Sequence, residues 1–294
     1  MMDEKGGFLL REAVSSGKTE LLKEILDRKT IPVDAKSFDG ETAIFGALNN
    51  EETARLLIVH GASVNSVDVH GRSLLYRATV EGTEEVGIML LEAGADPSIA
   101  DMHGENVLLR AIWTRKMRMV DMILSRAPAC ATQSDKAGNT ALHVAAHIGC
   151  VDTARKLLRA SAQVNQKNKV SETPLCVAIV RQRLDMVAFL IRNGANVNDF
   201  DSLGDSLLHV AVRMKISSLV QILLDAGAST TTRNALDLLP IDLCRTKRHS
   251  RVLGLLERNP PSVRVRVRDD VSERNKKRRR RQFVSIDARI IEMI

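Results

Sequence analysis

A tetrapeptide of the form Asp-x-x-Gly returns along the chain at almost constant intervals. Two weaker starts with Asn in place of Asp continue the series, and the successive intervals are 33, 34, 33, 33 and 33 residues. The starts are Asp68, Asp101, Asp135, Asn168, Asp201 and Asn234. A period in this range indicates a repeat protein, in which each repeat buries its apolar face only against its neighbours. The chain is therefore expected to fold as a stack of similar units.

Each repeat also has the same internal order of residue types. Five residues after each start except the weak one at Asn234 comes a short motif, and the motifs are Ser73–Tyr76, Asn106–Leu109, Thr140–His143, Thr173–Cys176 and Ser206–His209. Further along stands an aliphatic pair, followed in most repeats by Gly-Ala, and the pairs are Leu90-Leu91, Ile123-Leu124, Leu157-Leu158, Leu190-Ile191 and Leu223-Leu224. In this order of residues the chain resembles the ankyrin repeat family.

The resemblance covers the chain up to about Arg258. It implies an all-α fold class, an ankyrin-repeat solenoid of stacked helix pairs forming a right-handed arch, with β-turn fingers projecting to one side. With one shorter repeat and degenerate first and last repeats, the expected units are 3–36, 37–67, 68–100, 101–134, 135–167, 168–200, 201–233 and 234–258. Residues 259–294 form a basic C-terminal tail that we expect to be disordered.

Individual residues predict where the helices begin and end. Thr140 stands at the start of a first helix, where its side chain is expected to accept a hydrogen bond from a free backbone N–H. Pro174 suits a first helical turn, because its φ is fixed and it has no N–H to satisfy. The glycines that follow the second helices fit the left-handed residue that commonly ends a helix. They are Gly61, Gly94, Gly194 and Gly227.

The net charge of +7 is concentrated in the tail. Residues 259–294 carry +6, which leaves +1 for the rest of the chain. Six consecutive cations stand in this segment: Lys276, Lys277, Arg278, Arg279, Arg280 and Arg281. The run resembles a nuclear localisation signal read by an importin-type receptor. It is also typical of contact with nucleic acid or acidic lipid, and of a tail that only keeps a protein soluble, so three interpretations stay open.

Composition excludes several other classes of protein. No apolar run approaches the roughly 18 to 20 residues that a membrane-spanning helix requires, and the polar start of the chain is unlike a secretory signal. The four cysteines show no Cys-x-x-Cys pair and no metal-ligand grouping with His. We therefore expect an intracellular protein, in the nucleus or the cytoplasm or both, without disulfides.

The histidines invite a catalytic or metal-binding interpretation, which the repeat pattern disfavours. His143 and His209 both end the short motif, so we expect them to hydrogen-bond between adjacent turns. His70 and His103 are one repeat apart, but two imidazoles without further ligands make a poor metal site. Phosphate-binding, nucleophile-elbow and zinc-protease motifs are absent from the sequence. The sequence predicts no catalytic residues, no cofactor and no metal, and hence no enzyme.

The resemblance implies a partner-binding face made of the fingers and the exposed ends of the first helices, on the concave side of the arch. The expected partner-binding residues are His70, Arg72, Met102, His103, Trp113, Arg115, Lys136, His147, Arg181, Arg213 and Lys215. Trp113, the single Trp, is either an interface anchor or packed against its own neighbours. The cations form either a basic ridge for an acidic partner segment or a solvated rim.

These observations predict a non-catalytic, monomeric scaffold that regulates a partner protein, in the manner of ankyrin inhibitors of transcription factors. Two alternatives stay open. Leu243-Cys244-Arg245 resembles the start of the box by which some ankyrin proteins recruit a cullin ubiquitin ligase, although no second half of that box follows. A pathogen-type effector that occupies host proteins is the other alternative.

Overall fold

The computed structural model describes residues 2–36, 40–246 and 249–259, apart from the side chains of residues 2–6. Within these residues the chain is helical and folds as successive helix pairs. The α-helices are α1 (Met2–Ser15), α2 (Thr19–Asp27), α3 (Glu51–Val59), α4 (Leu74–Val80), α5 (Glu84–Glu92), α6 (Val107–Trp113), α7 (Met117–Arg126), α8 (Ala141–Ile148), α9 (Val151–Arg159), α10 (Pro174–Val180), α11 (Leu184–Arg192), α12 (Leu207–Arg213), α13 (Ser217–Asp225) and α14 (Ser250–Arg258). The fold class is thus the ankyrin-type solenoid that the sequence predicted.

Two first helices are short 3₁₀ helices: Ala43–Ala47 precedes α3, and Pro240–Leu243 precedes α14. A third 3₁₀ helix, Pro128–Thr132, follows α7. The molecule divides into two compact units, residues 1–196 and residues 197–294. None of the helices in the described ranges is both long and apolar enough to cross a bilayer.

The first helices begin at residues whose side chains cap them. Ser73, Asn106 and Thr173 each accept a hydrogen bond from the backbone N–H three residues later. Such a cap stabilises a helix by about 1 kcal/mol. The expectation for Thr140 was wrong in detail, because its hydroxyl lies 2.9 Å from Nδ1 of His143. The N–H of His143 donates instead to the backbone carbonyl of Thr140.

The fingers are turns held by the carboxylates that begin the repeats. Asp101, for example, accepts hydrogen bonds from the backbone N–H groups of His103 and Glu105. Among the fingers that the structure describes in residues 68–172, neighbours are joined by backbone hydrogen bonds from Met102 to His70, from Lys136 to His103 and from Lys169 to Ala137. A side chain at Gly138 would clash, since its Cβ would lie 2.9 Å from the backbone nitrogen of Lys169. Together with its φ of +82°, this close approach explains the glycine.

The core lies between the helix pairs and is aliphatic. Ala78, Ala111, Ala145 and Ala178 are fully buried on the first helices of residues 68–180, and their small side chains let these helices approach closely. The second helices end as predicted, because Gly61, Gly94 and Gly194 have φ of +85°, +89° and +87°, and Gly227 in the second unit has φ of +83°. Apolar side chains between repeats supply most of the stability of such a stack.

Candidate partner-binding surface

The ends of the first helices place one side chain of each repeat at an equivalent position, twelve residues after the repeat start. In residues 68–192 these side chains are Val80, Trp113, His147 and Val180. The ring centroids of Trp113 and His147 lie 4.8 Å apart with an interplanar angle of 67°, which is an edge-to-face contact. Trp113 nevertheless keeps 42% of its surface exposed. It therefore packs against the next repeat and also leaves apolar area exposed to solvent.

His147 is neutral at physiological pH. Partial burial lowers its pKa from the ordinary value of 6.5, and the positive charges of Arg181 and Arg183 lower that pKa further. Arg183 also donates from Nε to the backbone carbonyl of His147, at 3.1 Å. This arginine places its charge at the end of α8, where the helix dipole favours a cation. The imidazole thus joins the aromatic part of the surface, and the arginines supply its positive charge.

The cations near the helix ends divide into two groups. Lys116 and Arg183 reach back to main-chain carbonyls of the preceding repeat, Lys116 at 3.0 Å from the oxygen of Gly82. They stabilise the stack. Arg115 and Arg181 form no ion pair with any carboxylate in the part of the chain that the structure describes. Among the described cations that end the first helices or directly follow them in residues 1–196, these two have neither a carboxylate partner nor a main-chain carbonyl partner.

Arg115 also has an unusual backbone conformation. Its φ is +57°, in the left-handed region that disfavours side chains with a Cβ. Gln182 and, in the second unit, Lys215 have the same conformation, with φ of +56° and +62°. Gly149 occupies the corresponding position of its repeat, with φ of +87°. Three repeats therefore have a long polar side chain at a position whose backbone conformation glycine would adopt without strain.

The structure reveals a cluster that the sequence analysis missed, on the first helix of the repeat that begins at Asp68. Arg77 donates to Glu41 at 2.6 Å and to Glu81 at 2.5 Å. Hydrogen bonds and charge from these carboxylates raise the pKa of Arg77, even though burial acts in the opposite direction. The charge of Arg77 is thus compensated within the protein, and Glu41 also forms an ion pair with Arg11 at 3.2 Å.

Arg110 stands at the same place one repeat later and joins a second such cluster. It donates to the Tyr76 hydroxyl from Nε at 2.9 Å and to Glu105 at 2.6 Å, while the hydroxyl itself donates to Glu105 at 3.0 Å. Burial and the charge of Glu105 raise the pKa of Tyr76 to about 12. The 33-residue spacing of Arg77 and Arg110 was the available signal, because equivalent arginines on the first helices suggest a shared role.

The finger residues differ in what they offer. Met102 is 54% exposed, and His70, His103 and Lys136 are exposed at the tips. Arg72 is turned inward, since its Nε donates to Oδ2 of Asp68 at 2.7 Å. Burial alone would raise the pKa of Asp68, but hydrogen bonds from the backbone N–H groups of Arg72 and His70 and from the arginine side chain lower it. Arg72 is therefore ion-paired within its own finger.

The second unit contains the two remaining candidates. Arg213, at the end of α12, forms an ion pair with Asp205 and lies 3.7 Å from Asp201. Burial and the charge of Asp205 raise the pKa of Asp201, in spite of opposing hydrogen bonds and the charge of Arg213. Lys215 is exposed. Arg213 thus has its charge compensated locally, and Lys215 does not share this pairing.

His143 and His209 have the structural role that the sequence predicted. The N–H of Thr140 donates to Nδ1 of His143, so Nε2 carries the proton and donates to the carbonyl of Glu172 in the next repeat, at 3.1 Å. In the second unit His209 bonds to Ser206 and to the carbonyl of Leu238 in the same way. Burial lowers the pKa of both histidines. Across the described ranges no three His, Cys, Asp or Glu side chains are grouped as a metal site would require.

The six cations Lys276 to Arg281 lie outside the described residues. Leu243 of the possible ligase-recruiting sequence is buried, with 7% of its surface exposed. Cys244 is partly buried, which together with the charge of Glu257 raises the pKa of its thiol. In the second unit Leu243 is therefore inaccessible to a partner, and Cys244 is only partly accessible.

Paired helices joined by hydrogen-bonded fingers define a repeat solenoid. The family model for ankyrin repeats in three copies matches residues 10–101 and 160–234, and the model for a single ankyrin repeat matches residues 137–169. Because these segments make up more than half of the chain, the protein belongs to the ankyrin repeat family. Comparison with curated proteins finds no relative that matches. Ankyrin repeats are protein–protein interaction modules, and proteins built of them are generally non-catalytic.

Proposed function

We propose that this protein is a non-catalytic, monomeric scaffold that regulates a partner protein, which it binds through the fingers and the first helices of residues 68–192. One observation carries the proposal: Trp113 ends a first helix with 42% of its surface exposed, and Arg181, two repeats further along, forms no ion pair in the described residues. Trp and Arg are the residues most enriched among those that dominate binding energy at interfaces. A soluble protein gains nothing in folding by leaving that indole area in water.

The test is capture of a partner by the full chain, followed by comparison of two variants. Trp113→Ala with Arg181→Ala removes the anchor and the cation two repeats further along. Val59→Ala with Arg159→Ala is the matched control, because both residues are exposed on second helices. Partners are captured by affinity purification, identified by mass spectrometry, and then measured with purified protein.

We expect the first variant to bind the partner at least roughly tenfold more weakly, which corresponds to about 1.4 kcal/mol. The control variant should bind like the unmodified chain, and the melting temperatures of all three proteins should be similar. Equal binding by the two variants would show that the partner uses another surface.

For the tail, the proposal is that Lys276 to Arg281 act as a nuclear import signal recognised by an importin-type receptor, which would make this a nuclear regulator in the manner of transcription-factor inhibitors. Six consecutive cations support it. Replacing all six by Ala should leave a fluorescent fusion in the cytoplasm, whereas replacing Arg264, Arg266 and Arg268 by Ala should not. A fusion that remains nuclear, or that instead loses only nucleic-acid or acidic-lipid binding, would refute the import role.

The alternatives make different predictions. A substrate adaptor of a cullin ubiquitin ligase should bind the ligase through Leu243 and Cys244, yet Leu243 is buried and so has less support as a contact. Folded Cys244→Ala protein that keeps any cullin complex would remove this alternative. A pathogen-type effector would bind proteins of a host but none from its own source, and the same capture experiment performed on both extracts distinguishes the two cases.

A further inference from the structure

We infer that the helix-end patch, which consists of Trp113, Arg115, His147 and Arg181, recognises an extended acidic peptide segment of a partner protein. An apolar side chain of the peptide lies on Trp113, and its carboxylates lie on Arg181. The inference rests on the proposed function, since it states which partner chemistry the face accepts.

The first argument is charge. The arginines on the preceding first helices are neutralised within the protein, Arg77 by Glu41 and Glu81, and Arg110 by Glu105. Arg115 and Arg181 have no such carboxylate in the described ranges. A cation without an intramolecular carboxylate partner is complementary to an anionic ligand, whereas the ion-paired Arg77 and Arg110 are not.

The second argument is backbone strain at Arg115. A left-handed residue with a Cβ costs roughly 1–2 kcal/mol relative to the right-handed conformation, and glycine avoids most of this cost. Gly149 shows that a neighbouring repeat uses glycine at the equivalent position. Because glycine would fit this backbone conformation better, an exposed arginine there indicates that its side chain has a function.

The third argument is the order of side chains across the repeats. The equivalent positions of three successive repeats hold the aromatic ring of Trp113, the imidazole of His147 and the aliphatic Val180, and the cation Arg181 directly follows Val180. Adjacent packed helices lie about 8–10 Å apart, so two repeats span about 16–20 Å. An extended chain covers this distance in about five or six residues. The peptide should therefore carry its acidic residues about five or six positions from its apolar anchor.

A nucleic acid is the less suitable ligand for this patch. A protein that contacts about 6–10 phosphates needs a correspondingly large set of cations. In the described residues the helix-end patch and its neighbours offer four: Arg115, Lys116, Arg181 and Arg183. The edge-to-face packing of Trp113 against His147 also covers part of the indole that would otherwise stack on a base. An acidic peptide needs only a few carboxylates and one apolar side chain.

The experiment selects binders from a random twelve-residue peptide library on the full chain. It is repeated on full-length protein with Lys276 to Arg281 replaced by Ala, so that binding to the tail is recognised. The selected peptides are synthesised together with versions in which every Asp and Glu is replaced by Asn and Gln. Binding is measured through the fluorescence of Trp113, which is the single Trp of the chain. Arg181→Gln is the test variant and Arg159→Gln the control.

We expect selected peptides to carry acidic residues about five or six positions from an apolar residue, to change the emission of Trp113, and to bind Arg181→Gln roughly tenfold more weakly. The amide versions should bind the unmodified protein with a similar loss. Failure to enrich acidic residues, equal binding by both arginine variants, or stronger displacement of the peptide by single-stranded DNA than by excess peptide would overturn the inference.

The outcome also separates this inference from the proposed function. A protein partner that is lost in Trp113→Ala, but that no acidic peptide displaces, would overturn the acidic-peptide inference and leave the proposed function standing. A partner that binds the unmodified chain and the Trp113→Ala variant equally would overturn both.

Discussion

The indole of Trp113 contacts the imidazole of His147 edge to face, at 4.8 Å between ring centroids, across the boundary between two repeats. The contact joins the end of α6 to the last turn of α8. Trp113 is the only Trp of the chain, so its fluorescence reports on the protonation of His147. Because protonated imidazole quenches indole fluorescence, the charge state of His147 can be measured directly.

The first prediction is therefore a fluorescence titration. Burial and the charges of Arg181 and Arg183 lower the pKa of His147, so the quenching should have its midpoint below 6.5. Replacing both arginines by Gln should move the midpoint upward, since removing positive charge favours the protonated ring. The control Arg159→Gln should leave it in place. A midpoint at or above 6.5 in the unmodified protein would contradict this account.

The second prediction concerns the buried His143, which links two repeats through Glu172. Its folded-state pKa lies below 6.5, so the unfolded chain takes up the proton more readily. The contribution of His143 to the free energy of unfolding is therefore full at high pH. It decreases once the pH falls below the pKa of this histidine in the unfolded chain, by at most about 1.4 kcal/mol per pH unit. Urea unfolding at several pH values measures the slope.

The variant His143→Gln should cost about 1–3 kcal/mol at neutral pH, because the bonds to Thr140 and Glu172 are weakened or lost within a buried site. The same variant should show a smaller loss of stability between about pH 7 and pH 5 than the unmodified chain, since the titrating group is gone. An unchanged pH slope would assign the acid sensitivity to other groups, such as His209.

The third prediction tests backbone strain. Arg115→Gly should raise the free energy of unfolding by about 0.5–1 kcal/mol, since relief of the left-handed conformation outweighs the added freedom of glycine in the unfolded chain. Gly149→Ala should do the opposite, because its φ is +87° and the new Cβ would lie 2.9 Å from Cδ of Arg183. Chemical denaturation measures both variants. Equal effects of the same sign would refute the strain argument.

The fourth prediction concerns the hydroxyl shared by Arg110 and Glu105. Tyr76→Phe removes a group that accepts from Arg110 at 2.9 Å and donates to Glu105 at 3.0 Å. We expect a loss of about 1–2 kcal/mol, because partly buried charged groups lose a hydrogen bond while the ring still fills its space. In a double-mutant cycle with Arg110→Gln the two losses should not be additive. Additive losses would mean that the hydroxyl and the guanidinium act independently.

Much of the fold followed from the sequence because repeats and caps are local properties. Ser73 and Asn106 cap helices through hydrogen bonds that span only three residues, and the glycines that end the second helices respond to a backbone conformation of a single residue. The 33-residue period then placed His143 beside the next turn, and its hydrogen bond to Glu172 confirmed that position. Thr140 was the local exception, since its neighbour is an imidazole that competes for the hydroxyl.

The composition of the candidate binding surface depended on contacts between side chains, which spacing alone does not resolve. The sequence grouped Arg72, Arg115, Arg181 and Arg213 as similar cations. The structure separates them, because the conformation of each turn decides whether a carboxylate lies within reach: Arg72 meets Asp68 and Arg213 meets Asp205, whereas Arg115 and Arg181 meet none in the described residues.

The sequence by itself determined the repeat, the helix pairs and the family, because a periodic pattern of apolar, capping and turn residues has one way to bury its core. Only the tertiary structure decided which charged side chains pair within the protein and which form no ion pair in the described residues. Trp113 touches His147, and Arg77 reaches Glu41 across 36 positions of the chain, through distances that no local pattern encodes. Such pairings depend on side-chain direction and burial, and these exist only after the helices are stacked.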